Sequence, residues 1–434
     1  MENERNIFVI GLDDFHRRLL QTVRGAEHYR FHGLIPYDRI VNPESYPLED
    51  LLHDAQRELD RFPGTVDAII GHWDFPTTSL LPLLQAHAGL PGPSLEAVLR
   101  CENKYWTRAE QAEATPDATP PFALVDPQDD AVLDDPPLPY PFWLKPVVAF
   151  SSTLGFRIDD RGDLRHALAR IRPAIGRFAE PFDALLQRAR LGARRASLAG
   201  GYCIAEGIIG GRGCTLEGYV LDGEPHIYAV IDSLRGPNGV SFVGYHYPSE
   251  LPERVSERMK ETTRRIIRHI GLEHSPFNIE FFWDEANDDI KLLEINPRIS
   301  KSHSPLFELV DGASHHEVAI DVALGRRPEF PRSEGEYRYA AKFMPRVYGD
   351  AEVTRVPKED DVARLRRRFP DAQLAIHVRE GQRLSELPDQ DSYSFEIGEI
   401  FLGGDSRDEL TERFHEAMRL LDFRFSSRVE TNYD

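Results

Sequence analysis

Cysteine is nearly absent: Cys101, Cys203 and Cys214 are the three in 434 residues. They are widely spaced and fall outside any CxxC pattern, so neither a disulfide framework nor a zinc cluster is indicated, and they read as reduced core thiols. No apolar run approaches the roughly 18 residues of a membrane helix, and the opening MENERNIFVIGLDD is charged and leads straight into a strand pattern rather than a signal peptide. The cytoplasm is the expected compartment. Positive charge is short as well: the formal net charge of -20 repels phosphate backbones and anionic lipid, so neither nucleic acid nor a membrane is an expected partner. Lysine is the scarcest cation, with only seven among 52 basic residues. A site for an anionic ligand must therefore gather its cations locally, and a lysine in a defined place becomes informative. Lys104 in CENKYWTR and Lys145 in PFWLKPV are two such places. Nucleotide signatures are missing too, since GLDDFH offers one glycine where GxGxxG would need three, and no GxxxxGK[ST] occurs.

What is present begins with alternation. NIFVIG, YRFHGLI and VDAIIGHW read as short apolar strands separated by amphipathic helical stretches, the pattern of a parallel sheet covered by helices. A stretch rich in Pro and Asp from Thr115 to Pro141 closes this region, with FALVDP inside it as one more strand. Then come PFWLKPV, the small-residue turn AFSSTLG, FRIDD, a helix over Leu164 to Ile175, an Arg-rich segment, and the strands YCIAEGII and TLEGYVLDG, a unit the size of a lid. Further on lie HIYAVIDSL, a helix from Pro252 to Ile270, PFNIEFFW, IKLLEI and a helix from His315 to Leu324. In LGGDSRDEL, Ser406 and Glu409 form a capping box that opens the last helix.

NIEFFW and IKLLEI flank the polar turn DEANDD, which predicts a hairpin. Glu280 and Glu294 are equidistant from Asn287 in that turn and should oppose one another, with Asn296 on the same face because side chains alternate along a strand. Opposed carboxylates repel, so a cation should sit between them. Two carboxylates and an amide oxygen suit Mg²⁺. Pro297 stops the strand, and Arg298 then brings a planar fork to the same edge, where it can hold a carboxylate or phosphoryl group.

EFFW and IKLLEINPRIS together resemble the metal-binding hairpin of the ATP-grasp superfamily. GLPGPSLEAVLRCENKYWTR, the lysine of WLKPV with its small-residue turn, and AEGIIGG follow the family's order, so the resemblance covers most of the chain. It implies an ATP-grasp fold of mixed α/β and α+β class, with three parts. An N-terminal Rossmann-like parallel-sheet domain takes 1–120, the ATP-grasp domain 121–330 with a lid at about 142–223, and a C-terminal α/β segment 331–434. It implies ATP and Mg²⁺ as cofactors, with Mn²⁺ as the alternative ion. Glu280, Glu294 and Asn296 would be metal ligands. Lys104 and Lys145 would meet the α- and β-phosphates, and the turn of Ser151, Ser152 and Gly155 would close over them. The hinge of Glu206 and Ile208 would face adenine, although it departs from the family's pair of acids followed by an aromatic.

Within the superfamily the arrangement is most similar to the carboxylate-amine ligases that join amino acids, including L-amino acid ligases. In these enzymes ATP activates a carboxylate as an acylphosphate and an amine displaces phosphate. Arg298 would be the catalytic arginine. Glu217, in TLEGY, matches a strand carboxylate of the acceptor pocket, and Arg235, His303 and Trp73 complete the expected substrate residues. A small carboxylate and an amine are the expected partners, and a homodimer the expected assembly. A bicarbonate-using carboxylase is the alternative, but the glutamate such enzymes carry four residues beyond the arginine is here Ser302, and no biotinyl motif occurs. A nucleotide-binding regulator without ligase activity is the third reading. Retention of both glutamates, Asn296 and Arg298 argues against it.

Overall fold

The computed structural model describes residues 4–41, 43–149, 153–191, 199–388 and 390–433. The first three strands, β1 (Arg5–Ile10), β2 (Tyr29–Leu34) and β3 (Ala68–Ile70), form a parallel sheet in the order β2-β1-β3. Ile7 to Ile10 are all buried, as expected of a central parallel strand whose two faces are both covered. The carboxyl end of β3 leads through His72 and Trp73 to Asp74, whose carbonyl accepts from the Thr77 N–H at the start of the next helix, Thr77–His87.

Four further strands make the lid sheet. They are β4 (Phe122–Val125), β5 (Phe142–Pro146), β6 (Phe156–Ile158) and β7 (Cys203–Gly207), arranged β4-β7-β5-β6 with antiparallel pairing. The helix Arg161–Ile171 packs Leu164, Leu168 and Ile171 against Phe142, Leu144 and Ile158 of this sheet. It starts three residues earlier than its apolar periodicity suggested, because the Asp160 carboxylate accepts from the N–H groups of Gly162 and Asp163 and fixes the N-terminus there.

The largest sheet has eight strands. It runs β12 (Asp289–Asn296), β11 (Ser275–Asp284), β8 (Arg212–Leu221), β9 (Glu224–Arg235), β10 (Phe242–Tyr247), β13 (Tyr339–Phe343), then Gly398–Gly404 and Gln373–Ile376. Two boundaries differ from the sequence reading. TLEGYVLDG is β8 and belongs to this sheet, whereas FALV, expected ahead of the lid, joins the lid as β4. The C-terminal segment continues the same sheet rather than standing apart, through the pairing of β10 with β13 (Tyr245 opposite Lys342). The helix Glu253–Ile270 covers one face with Val255, Met259, Ile266 and Ile267. The last helix, Arg407–Leu421, forms half of the expected capping box: Ser406 Oγ accepts from the Glu409 N–H at 3.2 Å, but the Glu409 carboxylate accepts from the Asp405 N–H rather than from that of Ser406. Among the described residues no helix is long and apolar enough to cross a membrane.

Candidate active site

A cavity of about 610 Å³ opens where the parallel sheet, the lid and the eight-stranded sheet meet. One edge of it, where the sequence places the metal ligands, is the β11–β12 hairpin. Glu280 stands opposite Glu294 and Asn278 opposite Asn296. The turn alone would not produce that register: Trp283 pairs with Ile290 and Phe281 with Leu292, a count that would place Glu280 opposite Leu293. A bulge at Leu293 shifts the strand by one residue and brings Glu294 into line. The bulge is held from outside, because the Leu293 carbonyl accepts from Nη2 of buried Arg108 at 2.8 Å.

Burial, with the charge of Glu294 adding to it, pushes the Glu280 carboxyl up to about 7. Asn296 donates its amide nitrogen to Asn278 Oδ1 at 3.0 Å, and Asn278 in turn donates to the Arg298 carbonyl at 3.1 Å. That use of the nitrogen leaves the Asn296 oxygen as the acceptor. Two carboxylates, one of them carrying an unrelieved charge penalty, and a free amide oxygen form a hard donor set that fits Mg²⁺.

The cations line the same cavity. Lys104 is the first residue of the helix Lys104–Ala114, whose cap is the Asn103 side chain accepting from the Trp106 N–H. Its Nζ is 3.5 Å from Glu294 Oε1 and donates to the Ala149 carbonyl at 2.5 Å. Lys145, on β5, has its Nζ 2.6 Å from Glu206 Oε2, while Arg108 Nη2 lies 2.7 Å from Glu206 Oε1. Burial works against the Glu206 charge, but Arg108 and Lys145 outweigh it and hold its carboxyl down at about 2. Glu206 and Gly207 line the cavity; Ile208 is exposed and does not, its neighbour Ile209 doing so instead. Ser151 and Ser152 lie outside the described residues, and Thr153 and Gly155 of the same turn line the cavity.

The expected substrate residues separate. Arg298 lines the cavity with its fork engaged: Nε donates to Asp74 Oδ1 at 2.8 Å, Nη2 donates to the same oxygen, and Nη1 donates to the Ile299 carbonyl at 3.1 Å. Arg235 also lines it, donating to the Val240 carbonyl at 2.9 Å, with its guanidinium between the rings of Phe242 and Phe282. Glu217 is fully buried behind the wall, where Oε1 takes His303 Nδ1 at 2.7 Å and the Ser300 N–H at 3.2 Å. Its place therefore changes from contact with a substrate ammonium to support of His303, which does reach the cavity. Trp73 donates Nε1 to the Gly11 carbonyl at 2.9 Å and backs the cavity from the core.

Sequence reasoning missed several residues. Arg108 was within reach, because it lies one turn from Lys104 on the same helix face. Asn278 was too, two residues before Glu280 and so on the same face of β11. Lys342, Arg346, Glu396 and Glu399 line the cavity from the C-terminal segment, and no local motif announces them.

Replacing Glu206 by glutamine should destabilise the protein by roughly 3–5 kcal/mol, because Arg108 and Lys145 would be left buried without their counter-charge. Since the folded carboxyl sits at about 2, below its ordinary 4.5, this stability is present above pH 4.5 and is lost as pH falls through about 2. Urea midpoints at pH 7 and pH 3 check it: the difference between parent and variant should be larger at pH 7. Equal midpoints at pH 7 would show that the pair is not a structural brace.

Comparison with known proteins follows the geometry. Residues 138–305 match the model of the ATP-grasp domain. A stretch of 108 residues is 32% identical to the carbamoyl phosphate synthase large chain of a Nostoc species, covering 25% of this chain and 10% of that protein. The urea amidolyase of Saccharomyces cerevisiae is 22% identical over 333 residues, 75% of this chain and 16% of that one. The chain thus spans about a tenth to a sixth of the length of these curated relatives. Among solved structures, the L-amino acid ligase from Bacillus licheniformis superposes with a TM-score of 0.74 at 18% identity, covering 98% of this chain and 100% of that one. N5-carboxyaminoimidazole synthetase from Staphylococcus aureus gives 0.64 at 16% identity, with 96% and 98% covered. Biotin carboxylase from Campylobacter jejuni gives 0.61 at 15%, with 98% and 93% covered. Residues 138–305 are an ATP-grasp domain, and the chain as a whole has the ATP-grasp fold.

Proposed function

We propose that the protein is an ATP-dependent ligase that activates a small carboxylate and joins it to an amine, releasing ADP and phosphate. The observation that carries this reading is the bulge-set pair Glu280 and Glu294, with Lys104 Nζ 3.5 Å from Glu294 and Arg298 lining the same cavity. Glu280, Glu294 and Asn296 would hold Mg²⁺, which supplies charge neutralisation at the β- and γ-phosphates. Lys104 and Lys145 would bind the phosphate chain as point charges, and the hinge at Glu206 and Gly207 would meet the base. Arg298 would orient the carboxylate. Its oxygen attacks the γ-phosphorus, the bond to the ADP oxygen breaks, and an acylphosphate forms. The amine nitrogen then attacks the acyl carbon and phosphate leaves, carrying the proton the amine gives up. Such a reaction needs positioning and charge stabilisation more than a nucleophilic side chain. The TM-score of 0.74 to an L-amino acid ligase, against 0.61 to biotin carboxylase over the same share of the chain, supports the ligase reading.

The carboxylase reading draws on the likeness to biotin carboxylase. Against it, the position four residues past Arg298 is Ser302, whose hydroxyl accepts from Lys342 Nζ at 2.9 Å and offers no base. Coupled ADP release over pairs of amino acids and small carboxylates, followed by product mass, tests the proposal. ADP production that requires both an acid and an amine supports the ligase. Production with bicarbonate and no second acid would replace it with the carboxylase. A homodimer is the proposed assembly, and sedimentation at low concentration measures it.

A further inference from the structure

The charges around the cavity are almost all paired. Lys145 has Glu206, Lys104 has Glu294, Arg298 has Asp74, Lys342 has Glu399, and Arg346 has Asp391 and Glu396. Arg235 lacks a carboxylate but spends its N–H groups on the Val240 and Gly239 carbonyls. Lys301 differs from all of these. Among the described residues its Nζ makes no hydrogen bond and has no carboxylate oxygen within 4.0 Å. The ammonium instead stands 5.0 Å over the ring of Trp73, and that ring is itself fixed by its bond to Gly11.

The position of Lys301 gives this isolation a meaning. Lys301 opens the short turn Lys301–His303, three residues past Arg298, and lines the same cavity. A largely enclosed ammonium that touches only an aromatic face carries a desolvation cost that the more distant charges of Glu399, Asp74 and Glu396 do not fully offset and that a counter-ion in contact would. Burial lowers its pKa, and the charge of Lys342 lowers it further while that of Glu399 opposes.

We propose that Lys301 anchors a second carboxylate, one that a substrate carries in addition to the carboxylate being activated. This rests on the ligase reading only for what the substrate does after it binds. A carboxylate suits the site better than a phosphate because Glu396 and Glu399 line the same part of the cavity and would repel a dianion. An α-amino acid head would satisfy both signs, setting its carboxylate on Lys301 and its ammonium towards those glutamates. The second carboxylate can therefore come from a diacid that is activated at its other end, or from an amino acid that serves as the amine.

Calorimetric titration of the full chain, with Mg²⁺ and a non-hydrolysable ATP analogue present, tests the anchor without turnover. The probes are the straight-chain dicarboxylates from malonate to adipate and their monoamides. At least one dicarboxylate should bind about tenfold more tightly than its monoamide, a difference of about 1.4 kcal/mol. Lys301→Met should bring the two within about twofold, while Lys301→Arg, included to show that the site still folds, should keep most of the preference. Survival of the preference in Lys301→Met would overturn the proposal, and so would its absence in the parent protein both here and for alanine over alaninamide. ADP release provides the second measurement. Alanine against alaninamide as amine, and succinate against succinamate as acid, show which substrate carries the anchored group. A preference that Lys301→Met abolishes, with no ADP release for any pair, would uphold the anchor and sink the ligase. Ligase activity with no preference for a dicarboxylate or for alanine over alaninamide would do the reverse.

Discussion

Glu294→Gln should reduce ADP release that depends on both substrates by at least about 1,000-fold, and Glu280→Gln should do the same, because each removes one of two carboxylates from the metal edge. The fold should survive both changes, since glutamine preserves volume and relieves the repulsion between opposed charges. Thermal melting without nucleotide separates this from simple damage. The Glu280 carboxyl sits at about 7, above its ordinary 4.5, so the folded state favours the protonated form. That contribution to stability is fully present below pH 4.5 and is lost as pH rises through about 7. Glu280→Gln should therefore raise the melting temperature at pH 8 and change it little at pH 4.5, a gain on the order of 1–3 kcal/mol at the higher pH. Melting curves at the two pH values, with and without Mg²⁺ and ATP analogue, check the expectation. Full turnover in Glu294→Gln would remove the hairpin from the mechanism.

The hairpin was legible because its information is local. Strand alternation, a polar turn and a proline stop placed Glu280, Glu294, Asn296 and Arg298 at one edge, and the structure brings all four to one cavity. Even there the correct pairing had a hidden cause, because the turn count assumed from the sequence is restored only by the bulge at Leu293. The parallel order β2-β1-β3 followed from apolar strands alternating with helices. Legibility ended where contacts are long-range. Lys342 and Glu399 reach the cavity only because β13 and the strand Gly398–Gly404 extend the eight-stranded sheet, and strand order in a sheet of that width leaves no trace in local pattern. Glu217 shows the opposite failure. Its motif suggested a pocket residue, and it does stand opposite Asn278 on the cavity face of the sheet, but His303 and the Ser300 N–H cover it and take its carboxylate. Asp74 fell between these cases. Its place beyond a parallel strand's carboxyl end marked the ligand edge, yet nothing in the sequence paired it with Arg298, 224 positions away.

That pairing sharpens what Arg298 can be asked to do. Asp74 occupies the Nε side of the guanidinium and the Ile299 carbonyl takes Nη1, so the plane of the fork is set before any substrate arrives. A ligand carboxylate would then meet an arginine that has already lost its rotamer freedom. Arg298→Lys keeps the charge but loses the planar fork, and acid-dependent ADP release should fall by roughly 100-fold or more, about 3 kcal/mol of transition-state stabilisation. Nucleotide affinity should barely move. Asp74→Asn keeps the shape while weakening the brace, so it should lower kcat/KM for the acid by about tenfold, less than the loss in Arg298→Lys. If Asp74 instead competes with substrate for the fork, Asp74→Asn would lower the KM for the acid and raise kcat/KM, and the brace would be wrong. If Arg298 served only to offset the two glutamates, lysine would hold activity within a few-fold of the parent. Loss of ATP binding with the acid's apparent affinity unchanged would place the arginine on the γ-phosphate, and the acid site would then fall to Arg235 and His303 of the same cavity. Nucleotide binding and acid-dependent turnover, measured on Arg298→Lys and Asp74→Asn side by side, distinguish these outcomes whatever acid the enzyme uses.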